Sequence, residues 1–198
     1  MQVHLVQFTR KAVFSPLLFG IAMFFANSNI GWGGEPARVE KSLLEAINKF
    51  SPGAAILRPD QVDDLECNSS SSPGFVRADF NGDGLEDAAV LLVSHIADKV
   101  TLDAGRQFRD ADFILALFIN DGKGGYRARR VEKFGLRIPS AVVIGIRPPG
   151  KIRSDEIRSE KPRDITLKNP AFVIYFCGKS SAAYTVTGNK VREIPLSD

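Results

Sequence analysis

Asp79, Asn81, Asp83 and Asp87 place oxygen at positions 1, 3, 5 and 9 of a single short stretch, Asp79-Phe80-Asn81-Gly82-Asp83-Gly84-Leu85-Glu86-Asp87. A hard divalent cation such as calcium takes about 6–8 oxygen ligands at about 2.3–2.6 Å. This spacing curls four oxygen-bearing side chains toward one point. Gly84 stands at position 6, where such a loop must turn sharply, and Leu85 at position 7 adds its backbone carbonyl. The chemistry implied is capture of one calcium ion by Asp79, Asn81, Asp83, Leu85 and Asp87. An Asx-rich turn that satisfies its own backbone is the alternative for the same residues.

The flanks of the loop are not those of an EF-hand, which places a Glu at position 12 and continues into a helix. Position 12 here is Val90, inside the apolar run Asp87–Ser94, which reads as a buried strand. Phe75–Ala78 reads as the strand before it, so the ion would clip a strand–loop–strand corner. In this form, F-V-R-A-D-F-N-G-D-G-L-E-D-A-A-V-L-L-V, the stretch resembles the FG-GAP/VCBS type of repeat of integrin-like propellers and many bacterial surface proteins. The resemblance continues through Phe113–Tyr126 and covers residues 75–131, and it implies a calcium ion held between neighbouring strands. A propeller needs about 4–8 blades, and the chain holds one such loop. Asn120-Asp121-Gly122 reads as a hairpin turn. The expectation is one blade-like sheet, extended by its own further strands and a helix.

Catalytic residues are sparse. Beyond residue 28 the one histidine is His95, at the end of the strand that follows the loop. A lone histidine there reads as structural, and no nucleophile-elbow sequence supplies it with a serine. Cys67, Cys177 and His95 lack zinc-ligand spacing. Gly178-Lys179-Ser180 is not a phosphate loop, because Val173 holds the place of the leading glycine and the context is strand–turn–strand. Asp98, Asp103, Asp110 and Asp112 form an acidic segment that reads as a solvated loop, with a glycosidase-like carboxylate pair as its alternative.

The N-terminus has the layout of a secretory signal. Arg10-Lys11 precede the apolar run Ala12–Ala26, and Ala26-Asn27-Ser28 presents small residues at the two positions a signal peptidase reads. Residues 1–28 are expected to be a signal peptide cut after Ser28, with no stable membrane span left afterwards. The remaining 29–198 make one domain, periplasmic or secreted. Removing Arg10 and Lys11 from the 26 basic residues leaves 24 against 23 acidic ones, which argues against a nucleic-acid binder. A local basic stretch, Arg127, Arg129, Arg130, Lys133 and Arg137, reads as a charge-protected edge strand or as a docking surface for an acidic polymer or partner. In an exported chain Cys67 and Cys177 can pair, or can stay as buried thiols.

The elements around these residues follow from pattern. Val39, Leu43, Ala46, Ile47 and Phe50 space an amphipathic helix opened by Pro36 and ended by Ser51-Pro52-Gly53. Strands are expected at 141–146, 171–177, 182–187 and 190–194, with Gly188-Asn189 as a turn and 153–164 as an exposed loop. The fold class is α+β, dominated by antiparallel sheet with one N-terminal helix. The function expected is an exported, non-catalytic binding module with one structural calcium, its partner a protein or an envelope glycan. A cell-envelope hydrolase using loop carboxylates and an accessory, inhibitor-like protein are the alternatives.

Overall fold

In the computed structural model, residues 39–63, 67, 72–154, 163–188 and 190–196 are described, all within one compact unit, Gly31–Asp198. The predicted signal peptide, Pro36 and Asn189 lie outside them. Apolar spacing of three and four puts Leu43 and Ile47 on one buried side of α1 (Lys41–Phe50). The helix ends as Ser51 N–H donates to the Ile47 carbonyl, before Pro52 and Gly53.

Two antiparallel sheets follow. The first contains β1 (Ala55–Ile56), β2 (Phe75–Ala78), β3 (Asp87–Asp103), β4 (Arg106–Asn120) and β5 (Tyr126–Ile138). Its order is β1-β3-β4-β5, and β2 pairs with β3 beside β1. The second contains β6 (Val142–Arg147), β7 (Gly150–Ser154), β8 (Arg163–Leu167), β9 (Ala171–Phe176), β10 (Ser180–Thr187) and β11 (Lys190–Leu196), in the order β6-β9-β10-β11-β7-β8.

A strand buried on both faces carries an unbroken apolar run, and Ala88 to Val93 of β3 are all buried. Leu91 and Val93, with Phe113, Leu115 and Leu117 of β4, meet Val142, Ile144, Phe172, Ile174 and Tyr184 of the second sheet. Val90, Leu92, Ile114, Ala116 and Phe118 point the other way, against Leu43 and Ile47 of α1. A third layer forms where Ile152 and Leu167 of the β7–β8 hairpin cover Val173, Ala183 and Ile194. The expectation of one extended sheet is therefore corrected to two sheets packed face to face.

Two expected loops are also corrected. Asp98 and Asp103 lie in β3, and Asp110 and Asp112 in β4, because these strands continue as a long hairpin, with β5 alongside as far as Arg109. The hairpin turns at Ala104 and Gly105, with φ of 48° and 79°; positive φ at both central residues matches the twist of the flanking strands. The ends of the charged 153–164 segment belong to β7 and β8, and residues 155–162 lie outside the described residues. Cys67 and Cys177 form a disulfide, with Cα atoms 5.4 Å apart, and among the described residues no free cysteine remains.

Candidate metal centre

The Asp79–Asp87 loop joins β2 to β3, whose antiparallel pairing brings Ala78 opposite Asp87 and so closes the loop at its base. Gly84 has a φ of 86°, a left-handed conformation that side chains resist, and a Cβ there would meet nothing within 4 Å. Its presence answers a backbone need and not a packing one. Gly82, with φ of 80°, is different: a Cβ would come within 2.6 Å of the Asn169 side chain, in the turn between β8 and β9. The second sheet thus closes tightly over the loop.

Each predicted ligand side chain is held by hydrogen bonds of the chain itself. Asp79 Oδ1 accepts from the backbone N–H of Gly82 (2.7 Å) and Asp83 (3.0 Å), and Oδ2 from Gly84 N–H (2.8 Å). Asn81 Oδ1 accepts from Asp83 N–H at 2.8 Å. Asp83 Oδ1 accepts from Leu85 N–H at 2.9 Å, and Oδ2 from Asn81 Nδ2 at 2.8 Å. Asp87 is fully buried; Oδ2 accepts from Phe80 and Asn81 N–H, and Oδ1 from Asn120 N–H at 3.0 Å. Burial raises the Asp87 carboxyl to about 6, the nearby Asp83 charge adds to the rise, and the three backbone donors oppose it.

A carboxylate or amide oxygen has two lone pairs. After these bonds Asp79 Oδ2, Asn81 Oδ1, both Asp83 oxygens and Asp87 Oδ1 each keep one. The donor set is all oxygen and its composition fits a hard cation. Among the described residues no group of three or more His, Cys, Asp or Glu side chains that could hold a metal ion is found, a count that leaves out Asn81 and the Leu85 carbonyl. An ion and the loop's own donors would compete for these oxygens. Leu85 is exposed, at 37% of its surface, and its side chain approaches Gly122.

Asn120 and Asn169 were not legible as parts of this corner. Asn120 braces it from the β4–β5 turn, donating from Nδ2 to the Glu86 carbonyl at 3.3 Å and from N–H to Asp87. The polar turn Asn120-Asp121-Gly122 was the one available signal. On the far side of the corner Arg77 donates to Glu40 at 2.7 Å and to the Tyr126 hydroxyl at 3.1 Å, tying the start of α1 to β2 and β5. The hydrogen bond from Arg77 holds the Glu40 carboxyl below its usual range.

Of the remaining candidates, His95 is exposed on β3. Lys179 lies in the β9–β10 turn, whose N–H closes on the Phe176 carbonyl, so strand–turn–strand holds there. A cavity of about 280 Å³ beside that turn is bounded by Asp63, Asp103, Arg106, Phe108, Arg137 and Lys179. Its arginines are engaged: Arg106 with Asp63 at 2.7 Å and Arg137 with Asp103 at 2.9 Å. The basic residues Arg127, Arg129, Arg130, Lys133 and Arg137 are all exposed on β5, the terminal strand of the first sheet.

Fold and corner together define a helix-covered pair of antiparallel sheets with an acidic loop at one strand junction. Comparison with protein-family models, curated proteins and solved structures yields no match. Among the described residues no helix is long and apolar enough to cross a membrane.

Proposed function

We propose that the protein is an exported, non-catalytic interaction module in which one calcium ion holds the β2–β3 corner. The observation that carries the metal is the oxygen set of Asp79, Asn81, Asp83 and Asp87, each with a lone pair left over by the loop's own hydrogen bonds. Those four side chains and the Leu85 carbonyl would hold the ion. Bound there, it neutralises carboxylates that otherwise repel one another and fixes the angle between two strands. The meander β2-β3-β4-β5, antiparallel and in sequence order, supports reading this part of the sheet as a single propeller-blade-like unit. Export is supported by the charged-then-apolar N-terminus and by the Cys67–Cys177 disulfide, a bond that persists in oxidising compartments.

The test is a thermal melt of the full chain in EDTA and in 2 mM calcium, beside Asp83→Ala. A rise of several degrees in calcium, absent from the variant, is the expected result. Identical melts in the two buffers would overturn the metal assignment.

A further inference from the structure

We propose that the outer edge of β5 takes up an extended acidic segment of a partner protein as an added antiparallel strand. This rests on the interaction-module reading and names its surface and partner class. The edge is available because β5 ends the sheet order β1-β3-β4-β5, so among the described residues the backbone N–H and C=O groups on its far side have no strand beside them. Cations lie on both of its faces. Arg127 and Arg129 stand opposite Ile119 and Leu117 and share their face, toward the second sheet. Arg130 and Lys133 stand opposite Ala116 and Ile114 and share the helix side, where Arg130 lies 6.0 Å from the Phe50 ring.

The strand's one carboxylate, Glu132, is used internally: it accepts from the Tyr184 hydroxyl at 2.7 Å. Neither Arg127 nor Arg130 has a carboxylate within ion-pair distance among the described residues, whereas Lys133 pairs with Asp112 at 3.1 Å. Charge alone would only protect an edge. What points to a ligand is the groove beside it, about 370 Å³, with Arg127 and Arg129 at its rim and Leu117, Ile119, Val186 and Val191 inside.

An added strand alternates its side chains between the two faces. On one face they would enter this groove past Arg127 and Arg129, and on the other they would meet Arg130 and Lys133. Acidic residues on both faces, with an apolar one for the groove, satisfy the whole edge. A polyanionic glycan matches the charge but supplies no backbone ladder. A second copy pairing β5 with β5 sets cation against cation, which is destabilising.

The experiment measures fluorescence anisotropy of the full chain with a labelled ten-residue peptide of Glu carrying Val at positions 3 and 7, which puts Glu on both faces and Val on one. Its companions are the same peptide N-methylated at alternate amides, a Lys-for-Glu version, and polygalacturonate as competitor. Saturable binding of the acidic peptide is expected, lost on N-methylation and on Lys substitution. Binding by the Arg127→Glu, Arg129→Glu double variant, checked for an unchanged melt, should be at least about tenfold weaker. Equal binding of the N-methylated peptide, full competition by polygalacturonate, or a dimer that excludes the peptide would each overturn the proposal. Absence of peptide binding beside a calcium-dependent melt would reject this surface and leave the calcium module standing. Peptide binding with identical melts would do the reverse.

Discussion

Asp87 separates two roles that share one loop. Its carboxylate accepts three backbone N–H groups in a fully buried position, so it holds the corner whether or not an ion is present. Asp87→Asn turns an amide NH₂ toward some of those donors and should cost about 2–4 kcal/mol in EDTA, read by urea melts. Asp83 is exposed and bonds only within the loop. Asp83→Ala should cost less than about 1 kcal/mol in EDTA and lose any calcium response. With a dissociation constant of about 0.1 mM, 2 mM calcium would add roughly 1.8 kcal/mol to the wild type. The loop residues were legible because ligand type and spacing are local. Asn120 and Asn169 were not, since their places at this corner depend on which turns the fold brings to it.

Ala104 is a non-glycine residue with positive φ at the tip of the long β3–β4 hairpin. Relieving it with Ala104→Gly should stabilise the protein by about 0.5–1 kcal/mol, measured by chemical denaturation. The hairpin itself escaped a sequence reading because residues 98–110 carry charges on both faces. Phe108 is the one buried apolar residue in that stretch, too little to show the alternation of a strand. The helix was legible from its apolar stripe, although it begins at Lys41. Its docking has a pH signature through Glu40, whose carboxyl Arg77 holds below the ordinary 4.5. A depressed carboxyl stabilises the fold above its unfolded value, and that contribution is lost as pH falls through the folded one. The stability gap between wild type and Arg77→Met should therefore narrow below about pH 4.5 in urea melts. Because Glu40 is half exposed, the part of the gap that titrates is under about 1 kcal/mol.

The Cys67–Cys177 disulfide joins residues 110 apart and links the segment before β2 to the end of β9. In the chain-entropy model a loop of this length is worth about 4–5 kcal/mol. The Cys67→Ser, Cys177→Ser double variant should melt roughly 10 °C lower than wild type under non-reducing conditions. With reductant the two proteins should converge. The strands of this molecule were largely written into its residues: apolar runs, β-branched alternation and turn residues such as Gly188 act over a few positions. Their division into two sheets was not, and neither was the β7–β8 ribbon over Val173 and Ala183. Strand partners are chosen by burying faces that lie far apart in the chain. The same non-local packing brings Cys67 to Cys177 and opens the groove between β5 and the β10–β11 hairpin. Local patterning names the pieces, and the burial of their second faces decides what stands beside what.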